Sequence, residues 1–255
     1  SDLINHDGAA DIVLSGSDKV AYLYAHPDPQ KSFKIMSKVF TLGGDYVYGQ
    51  SSLVDIDADG RIDHVLPRCH KNSGKCDIVK IFDNSYKEVI FKFDNTTEGG
   101  ANSYDYRLKE YTFASNYVFP VTLRASDLDG DGYTDFVVVA RNDRERSSKV
   151  LYLHNIPEAE KSKSRRLDRT FEVHEIPFDQ SNQEIHLVTL FDINEDGKVD
   201  MLVGASANKN KPDDLNVSAI MNTQMVDACF MKVLVTNGFI SPDTASNGQT
   251  ARGTF

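Results

Sequence analysis

The stretch Asp127-Leu-Asp-Gly-Asp-Gly-Tyr-Thr-Asp135 places aspartates at positions 1, 3, 5 and 9 of a nine-residue segment and a glycine at position 6. The same pattern, Asp-x-Asp/Asn-x-Asp-Gly-x-x-Asp, is complete at residues 55–63 and again at residues 192–200. A partial copy at residues 5–11 has Leu3 where the first aspartate would stand. Four copies in register predict a protein built from repeats. We call them loop 1 (5–11), loop 2 (55–63), loop 3 (127–135) and loop 4 (192–200).

The loops have the composition of a site for a hard cation. Ca²⁺ takes about six to eight oxygen ligands in a flexible shell, whereas Mg²⁺ prefers a stiffer octahedron with several waters. Side chains at positions 1, 3, 5 and 9 can converge if the backbone turns sharply, and glycine at position 6 allows the positive φ of such a turn. Position 7 would add its carbonyl oxygen. The predicted ligands of up to four Ca²⁺ ions are Asn5, Asp7, Asp11, Asp55, Asp57, Asp59, Arg61, Asp63, Asp127, Asp129, Asp131, Tyr133, Asp135, Asp192, Asn194, Asp196, Lys198 and Asp200.

A solvated turn and an EF-hand share part of this loop pattern. A single Asp-Gly loop is more often a solvated turn than a metal site, but four aligned copies favour the metal site. An EF-hand loop starts in the same way and needs a glutamate at position 12 with helices on both sides. Position 12 is Leu66, Val138 or Val203, and each lies in a strand-like apolar run. The pattern therefore excludes EF-hands.

The segments around the loops predict an all-β fold. A β-rich segment precedes each complete loop, and three further runs of β-branched and aromatic residues follow it, with Gly, Asn and Asp between them. Four-stranded units at this spacing are typical of β-propeller blades. The predicted blades are residues 1–46, 47–116, 117–184 and 185–238, followed by an exposed connector at 239–255. Residues 98–116 are predicted to be an insertion, and the basic stretch 161–169 a solvated loop.

Composition narrows the function classes. The chain of 255 residues has 28 Lys+Arg and 38 Asp+Glu, a net charge of −10, which argues against a nucleic-acid or anionic-membrane surface. No apolar run approaches the roughly 20 residues of a membrane span, and the start at Ser1 does not have the pattern of a signal peptide.

The cysteines and sequons favour an extracellular or lumenal compartment. Cys69 and Cys76 flank a polar turn suited to a disulfide-closed hairpin, with zinc binding as the alternative. Cys229 lies in an apolar run and is predicted to be a buried thiol. Asn95 and Asn216 each begin an Asn-x-Ser/Thr glycosylation sequon.

These motifs resemble known repeats. The loops are similar to the FG-GAP repeats of integrin α-subunit propellers, and more closely to the T-cell immunomodulatory protein (linkin) family. The resemblance is carried by residues 49–69, 131–139, 191–200 and the strand-like run 230–238. It implies a propeller of about seven blades, a membrane-proximal β domain and one transmembrane helix in a type I membrane glycoprotein. With about four blades, this chain would be the later part of such a propeller, and the anchoring helix would lie outside it. A closed four-bladed ring is the alternative.

Three functions follow from this interpretation. The first is a non-catalytic, calcium-binding propeller at the cell surface or in the secretory lumen that binds other proteins, as the family's tie to adhesion and signalling implies. The second is an enzyme or its accessory module, although most of the conspicuous carboxylates belong to the loops. His64 directly follows the last aspartate of loop 2, and it is predicted to be a core or surface histidine and not a catalytic base. The third is a scaffold subunit of a membrane-associated assembly, which predicts apolar surface on an open blade edge.

Overall fold

The computed structural model describes residues 11–16, 19–25, 28, 34–73, 75–81, 87–93, 106–108, 111–112, 118–119, 122–142, 147–158, 167–178, 183–207 and 215–224. Every regular element among these residues is a β-strand, so the predicted all-β class is confirmed. Within the same residues, no helix is long and apolar enough to cross a membrane. Several predictions fall outside them, namely those for Asn5, Asp7, Asn95, Cys229, the run 230–238 and the connector 239–255.

Four antiparallel sheets follow one another along the chain. Sheet 1 contains β1 (Ile12–Ser15), β2 (Lys19–Tyr24) and β3 (Lys34–Thr41). Sheet 2 contains β4 (Tyr46–Tyr48), β5 (Ser52–Val54), β6 (Asp63–His70), β7 (Cys76–Ile81) and β8 (Lys87–Lys92). Sheet 3 contains β9 (Tyr106–Leu108), β12 (Arg124–Ser126), β13 (Asp135–Asn142), β14 (Ser147–Pro157) and β15 (Arg169–Ile176). Sheet 4 contains β16 (Glu184–Phe191), β17 (Asp200–Ser206) and β18 (Leu215–Ile220). Separately, β10 (Tyr111–Thr112) pairs with β11 (Val118–Phe119).

Each complete loop joins the first strand position of its sheet to the second, as predicted. Loop 2 joins β5 to β6, loop 3 joins β12 to β13, and loop 4 joins β16 to β17. Successive strands of each sheet then pair in chain order. All three complete loops therefore lie at the same end of their sheets.

The first strand of each of these three sheets is interrupted at the same place. In sheet 4, β16 has a bulge between Ile185 and Leu187, where it advances by two residues while β17 advances by one. In sheet 2 the break separates β4 from β5, which both pair with β6. In sheet 3 it separates β9 from β12, and the β10–β11 pair is inserted there. β9 lies within the predicted second blade, 47–116, but its hydrogen bonds to β13 assign it to sheet 3. The boundary therefore falls before residue 106.

The sheets pack face to face in chain order. Side chains of β14 show this most clearly, because alternate residues of a strand point to opposite faces. Leu151 and Leu153 pack with sheet 2, whereas Val150 and Tyr152 pack with sheet 4. A third apolar cluster joins sheets 1 and 2 around Val20. This stacking is propeller-like, in agreement with the predicted blades.

Both ends of the stack expose apolar side chains. Leu14 of sheet 1 is 53% exposed, and Phe191 and Val217 of sheet 4 are 63% and 68% exposed. None of the three apolar clusters of the described residues joins sheet 4 to sheet 1. Among the described residues, each end of the series therefore presents apolar side chains.

A disulfide closes the hairpin between β6 and β7. Cys69 and Cys76 are directly opposite each other in the register, with an S–S distance of 2.09 Å. The predicted disulfide is therefore confirmed, and neither sulfur is available as a zinc ligand.

Candidate cation loops and the contacts between sheets

The three complete loops have the same backbone arrangement. In each, the carboxylate at position 1 accepts hydrogen bonds from the backbone N–H groups at positions 5 and 6. The distances are 3.2 and 2.9 Å at Asp55, 3.1 and 2.9 Å at Asp127, and 3.1 and 3.0 Å at Asp192. The chain therefore curls around its first carboxylate, which brings later oxygens toward it.

Two positions of each loop have left-handed backbone. The glycines at position 6 have φ of 82°, 89° and 87°, as the sequence predicted. Position 4 is also left-handed, with φ of 56° at Ala58, 75° at Gly130 and 60° at Glu195. A non-glycine residue in this conformation costs about 1–2 kcal/mol, so the loop geometry is maintained against a local penalty. The sequence did not indicate position 4, because only one of the three loops has glycine there.

The aspartate at position 9 is buried and connects three segments of its sheet. In loop 3, Asp135 is fully buried, and its oxygens accept the N–H groups of Leu128 at 3.0 Å and Asn155 at 2.8 Å. Asp200 accepts the corresponding pair from Ile193 and Asn222, at 3.0 and 2.7 Å.

Two further position-9 residues keep part of this bonding. In loop 2, Asp63 accepts the Ile56 N–H at 3.3 Å. Asp11, the described end of loop 1, is 6% exposed and accepts the Ala25 N–H at 3.0 Å. Position 9 is therefore a structural brace as well as a potential ligand.

Carboxylate oxygens converge in loops 2 and 3. One oxygen from each of Asp55, Asp57 and Asp63 lies within 4.8 Å of the others, and the same holds for Asp127, Asp129 and Asp135. Oxygens grouped in this way need only a small inward shift to reach the roughly 2.3–2.6 Å distances of Ca²⁺ ligands. Burial raises the pKa of Asp63 and Asp135, since desolvation outweighs the hydrogen bonds these carboxylates accept. These donor sets fit a divalent cation bound through oxygen.

The other predicted ligands lie around the same turns. Asp59, Asp131 and Asp196 at position 5 accept the N–H of the position-7 residue at 2.8, 2.9 and 2.9 Å. Asn194 accepts the Asp196 N–H at 3.1 Å, and its own amide donates to an Asp196 oxygen at 3.0 Å. Position 7 is Arg61, Tyr133 or Lys198, whose backbone N–H groups make these hydrogen bonds. The carbonyl oxygens of these three residues are the atoms proposed as ligands.

One residue of the third strand distinguishes the three loops. The register places Lys80, Tyr152 and Ala219 at equivalent positions, opposite the residue two places after the loop. Lys80 is 7% exposed, and its Nζ lies 2.6 Å from an Asp63 oxygen and 4.0 Å from an Asp57 oxygen. Loop 2 thus already contains an ammonium group, whereas Ala219 leaves loop 4 without one at that position. The sequence signal for Lys80 was a lysine inside the apolar strand Cys76–Ile81.

Loop 3 has three further neighbours. The Tyr152 hydroxyl donates to Asp135 at 3.2 Å, and His154 Nε2 lies 2.8 Å from an Asp129 oxygen. The guanidinium of Arg169 lies 3.5 Å from the centre of the Tyr133 ring and is 7% exposed. Of the predicted solvated basic loop 161–169, residues 161–166 lie outside the described residues. The prediction is wrong for Leu167, which is buried, and for Arg169, which stacks on an aromatic ring inside the protein.

Asparagines connect loops 3 and 4 each to the loop of the preceding sheet. The Asn155 side-chain amide donates to the Ile56 carbonyl of loop 2 at 2.8 Å and to the Thr134 carbonyl of loop 3 at 2.9 Å. Asn222 repeats this with Leu128 of loop 3 and Val199 of loop 4, at 2.8 and 3.3 Å. Neighbouring loops are thus bridged by one side chain.

His64 is a connector of a different kind. It is 6% exposed, with Nδ1 2.6 Å from the Tyr22 hydroxyl of sheet 1 and Nε2 2.7 Å from Ser51 Oγ. Burial lowers the pKa of His64 to about 4. The sequence did not reveal the Ser51–His64 contact. A buried imidazole with both nitrogens engaged and a low pKa is better suited to joining sheets 1 and 2 than to proton transfer.

An apolar groove lies between sheets 3 and 4. Its lining includes Leu128, Tyr152, Ile176 and Met201, and it carries no carboxylate, histidine or cysteine. Among the described residues, the polar groups that line the groove include the hydroxyls of Tyr152 and Thr223 and the amides of Asn222 and Gln224.

The chain is similar to several known proteins. T-cell immunomodulatory protein of Homo sapiens is 30% identical over 200 residues, which cover 77% of this chain and 32% of that protein. The protein of the same name from Rattus norvegicus is 28% identical over 199 residues, with the same coverage. Protein linkin of Caenorhabditis elegans is 26% identical over 158 residues, which cover 61% of this chain and 24% of linkin. No protein-family model and no solved structure matches. The chain spans about a third of the length of the curated relatives it matches.

Proposed function

The chain belongs to the family of T-cell immunomodulatory protein and linkin, and on that premise we propose that it is a non-catalytic, calcium-binding part of an extracellular propeller that binds other proteins. The relatives are named as immunomodulatory and linkin proteins and not as enzymes. Because the match covers about a third of the relatives' length, the proposal is limited to the sheets described here and does not extend to the rest of the full-length protein.

The convergence of carboxylate oxygens in loop 3 carries the calcium part of the proposal. Loop 4 offers the same turn, with Asn194 in place of one aspartate. Loop 2 is the weakest of the three sites, because Ca²⁺ would have to displace the Lys80 ammonium from Asp63. In each loop the ion would fix the start of the second strand, and the asparagine bridges would transmit this order to the next sheet.

Terbium luminescence tests the calcium proposal directly. Tb³⁺ substitutes for Ca²⁺ at oxygen sites and emits when a nearby tyrosine is excited, and the chain has 11 tyrosines and no tryptophan. Because Tyr133 belongs to loop 3, we expect Tb³⁺ bound there to emit, and we expect the emission to fall when Ca²⁺ displaces the Tb³⁺. Tyr133→Phe should weaken the emission without weakening Tb³⁺ binding. Thermal unfolding should shift upward in Ca²⁺ relative to EGTA, since a ligand of the native state stabilises it. An unchanged melting temperature would contradict the proposal.

Two variants of loop 4 separate ligand loss from a general charge effect. Asp192→Asn removes a ligand charge, so it should reduce the calcium-dependent stabilisation. Lys198→Met changes a side chain whose residue is proposed to contribute only its carbonyl oxygen, so the stabilisation should persist. Equal loss in both variants would count against loop 4 as a calcium site.

The extracellular part of the proposal is supported by the disulfide and by the relatives' names. Asn216, in a glycosylation sequon, is exposed on β18. We expect N-glycan at Asn216 when the protein is secreted from eukaryotic cells, detected as a mass shift that Asn216→Gln abolishes. For partner binding, fluorescent multimers of the chain should label cells, and trypsin treatment of the cells should remove the labelling. Labelling that resists trypsin would argue against a protein partner.

The scaffold alternative has one observation in its favour. Phe191 and Val217 are largely exposed on the outer face of sheet 4, and apolar surface of this kind is typical of an interface. Under the main proposal, another blade of the full-length propeller covers that face.

A further inference from the structure

We propose that His154, Glu172 and His174 form a binding site for Zn²⁺ or a similar transition-metal ion on the face of sheet 3 that is directed toward sheet 4. This site is separate from the proposed calcium ligands, and it is not indicated by the nine-residue loop pattern.

The strand register brings the three residues together. His154 on β14 is directly opposite Glu172 on β15, and His174 follows Glu172 by two residues, on the same face of the strand. One potential ligand atom from each side chain lies within 4.8 Å of the other two. In sequence, His154 and Glu172 are 18 residues apart, so no short motif announces the site.

The donor types select the metal. Two imidazole nitrogens and one carboxylate are a common ligand set for Zn²⁺, which binds nitrogen at about 2.0–2.1 Å in tetrahedral geometry. Ca²⁺ prefers an all-oxygen shell. Tetrahedral contacts would draw the ligand atoms closer than they are, and the side chains have room to move, because His174 is 46% and Glu172 58% exposed.

Neighbouring groups orient the two imidazoles. The Tyr152 ring stacks on His154 with centroids 5.7 Å apart and lies 5.8 Å from the ring of His174, directly opposite it in the register. Tyr152 is itself fixed by its hydrogen bond to Asp135. Asp129 lies 2.8 Å from Nε2 of His154, and carboxylates in contact with a metal-binding histidine commonly set its orientation.

The site would have an open coordination position. Three protein ligands leave the fourth tetrahedral position for water or for a side chain of a second molecule. Since the His174 and Glu172 side chains are 46% and 58% exposed, that position faces solvent. A zinc ion held in this way is suited to bridging this chain to a partner.

A competing arrangement uses the edge of loop 3. Ligand atoms of Asp129, Asp131 and His154 also lie within 4.8 Å of one another. Variants distinguish the two arrangements, because His174 and Glu172 belong only to the proposed site and Asp131 only to the alternative.

The test measures Zn²⁺ affinity by competition with a chromogenic chelator, on the whole chain without an affinity tag and in saturating Ca²⁺. We expect His174→Ala and Glu172→Gln each to weaken Zn²⁺ binding at least about tenfold, since even supporting residues of metal sites contribute 10–100-fold. Asp131→Asn alters a proposed calcium ligand next to Asp129, which contacts His154, so it should weaken Zn²⁺ binding less than His174→Ala does. The matched control is Glu175→Gln, which alters the neighbouring carboxylate, whose partner is Lys149 at 3.7 Å. Co²⁺ should give the intense visible absorption of tetrahedral coordination, and His174→Ala should remove it.

Each other outcome overturns the site. Unchanged Zn²⁺ affinity in His174→Ala and Glu172→Gln would exclude it. Weakening by Asp131→Asn as large as that by His174→Ala would show that a loop carboxylate is a ligand. Circular dichroism reports the folding of every variant, and His174→Gln replaces His174→Ala if that variant misfolds. The calcium-dependent melting shift is measured separately, so that failure of the calcium proposal is distinguished from failure of the zinc site.

Discussion

Replacing Lys80 with methionine should make the protein depend more strongly on calcium. In the wild-type protein the buried Lys80 ammonium lies 2.6 Å from Asp63. Removing one partner of a buried ion pair costs about 3–5 kcal/mol, because the other charge is left desolvated and unpaired. We therefore expect Lys80→Met to lose about 3 kcal/mol of unfolding free energy in EGTA.

Calcium should restore most of this loss. Without the ammonium, the loop 2 carboxylates are available to an ion, and an ion at 100 times its Kd stabilises the native state by about 2.7 kcal/mol. Urea unfolding followed by tyrosine fluorescence, in EGTA and in Ca²⁺, measures both quantities. Calorimetric titration should find one more bound Ca²⁺ per chain in Lys80→Met than in the wild-type protein.

The control is Lys92→Met, since Lys92 is an exposed lysine on β8 of the same sheet. It should change neither the stability in EGTA nor the number of bound ions. The reasoning would be refuted if Lys80→Met were as stable as the wild-type protein in EGTA, or if both bound the same number of ions. The second result would mean that Lys80 does not compete with calcium.

Three further predictions concern the contacts between and within sheets. Asn155→Ala should cost about 1–3 kcal/mol in urea unfolding, because two carbonyls that it bridges lose their donor, and an unchanged stability would show that the bridge is dispensable. Folding lowers the pKa of His64 from 6.5 to about 4, so the folded state is stabilised by about 3 kcal/mol above pH 6.5 relative to low pH, and this stability should be lost as the pH falls from 6.5 to 4. In His64→Gln the unfolding free energy should depend less steeply on pH over this range, and an equal slope would contradict the assignment. Cys76→Ser should cost about 2–3 kcal/mol, since the disulfide closes a short loop with a sequence separation of 7, and reduction of the wild-type protein should match that loss in thermal unfolding.

The nine-residue spacing was sufficient to predict the loops and the strands around them. Position 6 must accept a positive φ, and the apolar runs on either side can only be buried by pairing as strands, so sequence and structure agree there. The break in the first strand was predictable only in sheet 3, where residues 98–116 were predicted to be an insertion, because the single extra residue in sheets 2 and 4 leaves no mark on the alternation of so short a strand. Its effect in sheet 3, where the β10–β11 pair is inserted, displaced the predicted boundary at residue 116.

Contacts that depend on register escaped the sequence. Lys80 approaches Asp63 only because β6 and β7 pair so that Val65 is opposite Lys80. Asn155 bonds to Ile56, 99 residues earlier in the chain, and no local pattern specifies a partner at that distance. Arg169 belonged to a basic run that usually remains solvated, and its stacking on Tyr133 became evident only from the structure. In each case the residue type was visible, whereas its partner was set by strand pairing within a sheet or by the packing of one sheet on the next.

The asparagine bridges make the order of the sheets matter for how the protein loses its structure. Asn155 joins loop 3 to loop 2 and Asn222 joins loop 4 to loop 3, so in the described residues these contacts run between neighbours in the series. Stability in such an array is a sum over adjacent pairs, and loosening spreads from one unit to the next. An interior sheet is supported on two sides and a terminal one on a single side. Unfolding should therefore begin at an end of the series, and the position of a damaged loop along the chain should determine how many sheets are lost with it.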